Sequence, residues 1–531
     1  MDWTDVPPTR IETHFGRAMR CFAERPAHVD AMLAAIVARY PEREAVVDGA
    51  HRLDFARLDR VTERVAGHFR RLGVGRGDRV ALLLANEREF VYALLATLRL
   101  GAIAVPMNVR EQRPELLYIL GQCGAKAIVF DAGLADRLPS PGELPALTVR
   151  LSVGSAAGAT PFADLLETRS PAVLRAAPGE EEPAVILYTS GTTGRPKGAM
   201  LTHLNLIHSV LHYRVCMHLA ATDRSLLAVP ASHVTGLVAI VLAMLAVGGC
   251  VVMMREFKAR AFLELAARER MTHTLVVPAI YNLCLREPDF ARFDLSAWRI
   301  GGFGGAPMPE GTIRALAEKL PGLALVNAYG ATETTSPTTI MPIGHQAAHL
   351  DSVGTVVPCG DVRVVDDAGR ELPRSEAGEL WIAGPMVVPG YWDDPDASAR
   401  EFAGGYWRSG DIGAIDEHGF VRVLDRKKDL VNRGGYKIYC AEVESVLSLH
   451  PAVVESALIP VPDPVLGEKG HVFVVTRDPA CAAESLRAHC ARHLADYKVP
   501  DFFTLRSEPL PRNANGKLLK RALREAEPAR T

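Results

Sequence analysis

Between residues 55 and 131 the spacing of apolar residues switches repeatedly between two periods, and this restricts the fold more than any other feature of the chain. Phe55, Leu58, Val61, Val65 and Phe69 recur at helical spacing. "RVALLLA" (79–85) then reads as a strand, 89–100 as a helix, "AIAVPMN" (102–108) as a strand, 113–123 as a helix and "KAIVFD" (126–131) as a strand. Strand–helix–strand order of this kind predicts a mainly parallel sheet covered by helices. The pattern resumes at 274–277 and 299–301. From about Ser352 the texture changes to short strands separated by turn residues, as in "GELWIAGP" and "GFVRVLDR", which predicts a small β sheet or barrel. After Lys428 it changes again to a mixed tail, with helices at 442–448 and 483–493 and strands at 453–460 and 471–476. The predicted fold is α/β. A large N-terminal domain (1–427) has mainly parallel α/β layers and a small β subdomain, and a small, mobile α+β C-terminal domain (428–531) follows it.

Charge and cysteine usage exclude several function classes. The 531 residues carry a net charge of −2, so no global field recruits nucleic acid or an acidic membrane. The nine cysteines include no C-x-x-C pair, which argues for a reducing compartment and against a zinc site or a disulfide frame. The opening "MDWTDVPPTRIETHF" has early acids and prolines and no apolar core, so no signal peptide is read there and a cytoplasmic protein is expected. Residues 236–254, "GLVAIVLAMLAVGGCVVMM", form 19 residues without a charge, which is transmembrane length. Gly248-Gly249 divides them into a helix-length piece and a β-rich piece, so a buried helix followed by a strand is expected and no integral membrane segment.

The chemistry concentrates in "LYTSGTTGRPKGAMLTH" (187–203). Seven of the nine residues from Thr189 to Lys197 are Gly, Ser, Thr or Lys. Glycine lets the backbone approach a ligand, hydroxyls donate to phosphate oxygens, and lysine adds a point charge. The spacing resembles a Walker A loop, but Pro196 and Gly198 stand where that motif has Gly and Ser/Thr. A buried strand, "AVILY" (184–188), feeds the loop, the usual setting of a phosphate site.

Other motifs complement it. "NAYGATET" (327–334) offers Glu333 as a carboxylate for Mg²⁺ and Thr332 as a phosphate donor. "GGFGGAPM" (301–308) lacks the third glycine and the downstream acid of a dinucleotide fingerprint, but a flat Gly/Ala surface suits an adenine ring. "YWRSGDIG" (406–413) places Asp411 between glycines, fit either for an Asx turn or for ribose hydroxyls. "DRKKDLVNRGGYKIY" (425–439) is basic, and "LPRNANGKLLKRALR" (510–524) ends in a short helix in which Lys520 and Arg521 read as solvated charge.

In this order these stretches resemble the adenylate-forming superfamily of acyl-CoA synthetases, firefly-type luciferases and peptide-synthetase adenylation domains, over roughly residues 55–520. The resemblance implies a carboxylate attacking the α-phosphate of Mg·ATP to give acyl-AMP and pyrophosphate, then coenzyme A displacing AMP to form a thioester. It implies that Thr189, Ser190, Gly191, Thr192, Thr193, Gly194 and Lys197 hold phosphates. It places Gly304, Gly305 and Ala306 near the adenine, with Tyr329 and Gly330 against it. Thr332 contacts phosphate, Glu333 binds Mg²⁺, and Asp411 with Arg426 takes the ribose. Lys517 is then the catalytic lysine between carboxylate and α-phosphate, Lys428 the hinge, and Gly434 and Gly435 the lining of the pantetheine channel. Ser409 keeps the hydroxyl of a position that is often Thr, and Asn432 replaces a lysine found in luciferases.

"VPASHVTGL" (229–237) corresponds to the acyl-pocket segment, with His233 as a gate over the carboxylate. Val234 stands where amino-acid-activating relatives carry Asp, so an uncharged acyl tail is expected: a medium-chain, alicyclic or aryl monocarboxylic acid. The alternatives are an acyl-AMP ligase loading a carrier protein and a non-catalytic nucleotide- or acyl-binding homologue. Expected partners are the small carboxylic acid, ATP and CoA, no nucleic acid, and a possible homodimer.

Overall fold

The computed structural model describes residues 3, 5–170, 175–189, 195–478, 481–512 and 518–526. The chain gathers into two units: Met1–Val362 with Ile382–Arg408, and Arg363–Trp381 with Ser409–Thr531. It therefore passes from one unit to the other three times. The change of sequence texture at residue 428 falls inside the second unit, which also takes in short strands before it.

The first unit is built on two sheets. One runs Lys197–Thr202, Pro183–Thr189, Ile103–Pro106, Arg79–Leu83, Ala127–Asp131, Val149–Val153, Thr160–Pro161. Only its first pair is antiparallel. The other has nine strands, in the order Thr355–Val356, Thr339–Ile340, Ala324–Tyr329, Ile300–Phe303, His273–Val276, Arg224–Leu227, Cys250–Met253, Glu44–Asp48, His51–Asp54. Its six central strands are parallel. Parallel strands are covered on both faces, which explains why they read as continuous apolar runs. The helix Phe55–Arg71 buries Phe55, Leu58, Val65 and Phe69 on one face, and its first turn is capped by the Asp54 carboxylate accepting from the Arg57 N–H. Such a cap contributes about 1 kcal/mol.

The charge-free segment folds as a buried helix and a strand, with one difference. Thr235–Leu242 winds as a π-helix before Ala243–Val247 continues as α-helix. Gly248 stops it at φ +77°, where a Cβ would also stand 2.5 Å from the Tyr40 ring. Cys250–Met253 then enters the nine-stranded sheet between two parallel neighbours. Among the described residues no helix is long and apolar enough to cross a membrane. All nine cysteines are free thiols.

In the second unit, Val421–Arg426 pairs antiparallel with Tyr406–Ile415, bringing Arg426 opposite Asp411. A second sheet runs Tyr436–Ile438, Val431–Arg433, Gly467–Thr476, Val453–Asp463, with Phe502–Arg506 joining Gly467–Thr476 in parallel. One face packs Val472 and Val474 against Val443 and Leu447 of Cys440–Ser448 and Leu486 of Ala483–His493. Ile459 and Phe473 on the other face pack against Leu510 and Leu523.

Candidate functional site

Three parallel strands of the nine-stranded sheet end in candidate residues, as ligand sites in open α/β sheets do. After Arg224–Leu227 the chain turns through 228–234, which contains His233. After Ile300–Phe303 come Gly304, Gly305 and Ala306. Ala324–Tyr329 ends on Tyr329 and leads through Gly330 into the 3₁₀ turn Thr332–Thr334. Gly304 is needed for close approach: a Cβ there would lie 2.3 Å from the Ala328 carbonyl of the neighbouring strand. Gly305 has φ +75°, and it and Ala306 are exposed at the end of the strand that neighbours Ala324–Tyr329.

The described segments that flank the Gly/Ser/Thr loop, Pro183–Thr189 and Lys197–Thr202, pair as antiparallel strands, with Thr189 opposite Lys197. A Walker A loop runs from a strand into a helix; here strand returns to strand, so the likeness of spacing is superficial. Ser190, Gly191, Thr192, Thr193 and Gly194 lie outside the described residues, as does Lys517.

Lys197 is buried, and its ammonium pairs with Glu401 and sits 4.3 Å from the centre of the Tyr391 ring. The segment carrying Tyr391 is laid along the strand Lys197–Thr202: the Met200 N–H donates to Gly390 O at 3.1 Å, and the Trp392 N–H to Gly198 O at 2.7 Å. The Tyr391 hydroxyl lies 2.9 Å from Oε1 of Glu333 and also within hydrogen-bonding distance of Glu401. The phenol stands between the two carboxyl groups. Burial pushes the Glu333 carboxyl up, against the hydrogen bond from Tyr391 and the charge of Lys197. Burial, then the two carboxylates, push the Tyr391 phenol up as well. The Val388 N–H donates to the Glu333 carbonyl at 2.9 Å and fixes the turn. One Glu333 oxygen bonds the phenol and the carboxylate stands at a strand end, a donor suited to Mg²⁺.

His233 is exposed, its Nδ1 accepting from the Thr235 N–H, while Val234 behind it is buried. The loop is tight: a Cβ on Gly236 would stand 2.2 Å from Pro230 O. Asn86 holds it from the other sheet. Its amide nitrogen faces Leu227 O, Val229 O and Met254 O at 3.2, 2.9 and 3.0 Å, and its Oδ1 accepts from Ala231 N–H at 2.8 Å.

In the second unit Asp411 is buried, and its Oδ1 lies 2.6 Å from Nε of Arg426. Ser409 accepts from the Asp411 N–H and donates to Leu380 O. The Lys428 carbonyl accepts from Arg524 at 3.2 Å, and Arg524 also pairs with Asp429. Gly434 and Gly435 form the two-residue turn of the hairpin Val431–Arg433/Tyr436–Ile438, with φ +58° and +89°. A type I′ turn requires positive φ at both positions, which is a local reason for two glycines. Lys520 departs from its reading as solvated charge: it is largely enclosed and pairs with Glu444 at 2.8 Å.

Sequence reasoning missed Tyr391, Glu401 and Asn86. The paired "YW" and the acid before Phe402 carry no spacing that marks them, and Lys197 and Glu401 are 204 positions apart.

A family profile described as "AMP-binding enzyme" matches residues 33–392, and one described as "AMP-binding enzyme C-terminal domain" matches 442–517. A feruloyl-CoA synthase of Amycolatopsis is 35% identical over 485 residues, 91% of this chain and 96% of its own. The long-chain-fatty-acid–CoA ligase FadD13 of Mycobacterium tuberculosis is 33% identical, over 89% of this chain and 93% of its own. The o-succinylbenzoate coenzyme A synthetase of Bacillus subtilis, solved in complex with ATP and magnesium ion, superposes with a TM-score of 0.83 at 30% identity, covering 93% of this chain and 99% of that one.

Proposed function

Because the chain belongs to the AMP-binding enzyme family, as an AMP-forming acid–CoA ligase of the acyl-CoA synthetase branch, we propose the following residue roles and acid class. The Lys197–Tyr391–Glu333 array, set beside the strand-end turn that carries Thr332, is the observation that carries the assignment. Lys197 and Thr332 hold nucleotide phosphate, with Thr189 at the mouth of the same hairpin. Glu333 fits Mg²⁺, which would supply positive charge against the phosphates. Gly304, Gly305, Ala306, Tyr329 and Gly330 offer the surface for adenine. Asp411, held in place by Arg426, accepts from ribose hydroxyls, and Lys517 neutralises the meeting of substrate carboxylate and α-phosphate. The moving part begins at Lys428. Pyrophosphate release on adding ATP and a carboxylic acid, with AMP release following only when CoA is present, tests the two-step assignment. Pyrophosphate without any CoA turnover would favour loading of a carrier protein.

The proposed substrate is an apolar monocarboxylic acid. Val234, Gly236, Gly302 and Phe303 are buried, and the 231–237 segment carries no charged side chain apart from a protonatable His233. An ammonium or second carboxylate left unpaired there would cost several kcal/mol. Aryl, alicyclic and medium-chain monocarboxylates are therefore expected to outcompete amino acids and dicarboxylates in a panel assayed by pyrophosphate release. Efficient turnover of an α-amino acid or malonate would refute this assignment.

Gly435→Leu is expected to slow thioester formation more than acyl-AMP formation, since only the second step brings that backbone to the thiol. The positive φ adds strain of about 1–2 kcal/mol, so thermal melting should accompany the kinetics. Equal loss in both steps with an unchanged melting point would rule out the channel role.

A further inference from the structure

Lys197 is not presented to a ligand as an open charge. It is 9% exposed, with the face of Tyr391 on one side and the Glu401 carboxylate at its ammonium. Both neighbours are held in place. The Asp394 side chain accepts from the Ala397 N–H at 2.9 Å and caps the helix Pro395–Glu401. Ser398 of that helix accepts from the Tyr391 N–H at 2.9 Å and donates to Asp394 O at 2.8 Å. The Tyr391 hydroxyl then ties Glu401 to Glu333. A buried ammonium with a carboxylate in contact is already neutralised, and it can take a phosphate oxygen only by giving up part of that pairing.

We propose that Glu401 is an internal counter-anion to Lys197, occupying the lysine until polyphosphate replaces it, so that it lowers the affinity for ATP. This rests on the reading of Lys197 as a phosphate-holding residue. Two effects act in the same direction. Without Glu401 the nucleotide-free protein keeps a buried cation unpaired, which raises its free energy. The bound state also loses a carboxylate that would stand near the incoming phosphates. The tie through Tyr391 extends the exchange to Glu333, because a Glu401 released from Lys197 remains hydrogen-bonded to the phenol that orients Glu333.

Equilibrium binding of ATP, with and without Mg²⁺, and of AMP tests this on the full-length protein. Glu401→Gln should tighten ATP binding by about tenfold or more and leave AMP, which lacks the β- and γ-phosphates, unchanged. Lys197→Met should weaken ATP, and the double variant should match Lys197→Met, because the effect of Glu401 acts through the lysine. If Glu401→Gln is too unstable to purify, Glu401→Asp, which draws the carboxylate back by one methylene, should give a smaller tightening of the same sign. Unchanged ATP affinity in Glu401→Gln, or in Glu401→Asp where it stands in, overturns the proposal. Weakened binding confined to the Mg²⁺-containing samples also overturns it and makes Glu401 a metal-holding residue. Unchanged ATP affinity in Lys197→Met instead removes the phosphate role of Lys197 itself.

Discussion

Lys517→Ala is expected to lose at least about 10²-fold in ATP-dependent formation of acyl-AMP and to convert supplied acyl-AMP and CoA at close to the parent rate. A single well-placed positive charge in a water-poor site commonly lowers such a barrier by about 3–4 kcal/mol. Here that charge matters only while carboxylate and α-phosphate are brought together. Lys517 lies outside the described residues, but its flanks are anchored: Arg512 and Leu518 form an antiparallel bridge, and Leu510 and Leu523 are buried against Ile459 and Phe473. The choice of control matters. Lys520→Ala would leave the partly buried Glu444 without its cation and would depress both steps through folding. Arg521 is exposed and, among the described residues, pairs with Glu525 one turn away, so Arg521→Ala should change neither step. Single-turnover kinetics of each half-reaction settle the matter. Equal loss of both halves in Lys517→Ala would point to general disruption of the lobe, and an intact first half would move the catalytic role elsewhere.

Glu333→Gln should reduce acyl-AMP formation by about 10²–10³-fold and shift the Mg²⁺ dependence of ATP binding to higher concentration. The amide keeps the volume and can still accept from Tyr391, so the 3₁₀ turn with its Val388 contact should survive and the melting point should move little. What is lost is a negative charge beside Lys197 and Glu401. A Mg²⁺ titration of nucleotide binding, read independently of turnover, is the decisive measurement. An unshifted titration would mean that Glu333 only packs against Tyr391.

The parallel sheets were legible because strands covered on both faces are apolar throughout and the helices between them carry a one-sided apolar face, as at Phe55, Leu58 and Phe69. The π-winding of Thr235–Leu242 was not legible, because a segment that is apolar on every side gives no period from which to read its pitch. Motifs whose members are adjacent in sequence, such as 327–334, revealed the strand-end site. Tyr391 and Glu401 were hidden because their side-chain partners Glu333 and Lys197 lie 58 and 204 positions away. Gly434 and Gly435 show a third case: the resemblance implied a channel lining, and what the backbone shows is a turn that needs them. Lys520 misled for the opposite reason. A cation on a short terminal helix looks solvated until the tertiary fold closes around it.

The three crossings between the units bear on how any part of this chain can swing. Residues 363–381 are joined to the first unit at both ends, so no single protease nick frees the second unit whole, and turning all of it would require three backbone segments to bend together. Beyond Ser409 the chain does not return. A fragment starting at residue 428 is joined to what precedes it by one covalent thread, at the "RKK" of 426–428, while Asp425 before that point accepts from the Cys440 N–H beyond it. A door on one pin can rotate far with little distortion, whereas a panel fixed at three points can only flex.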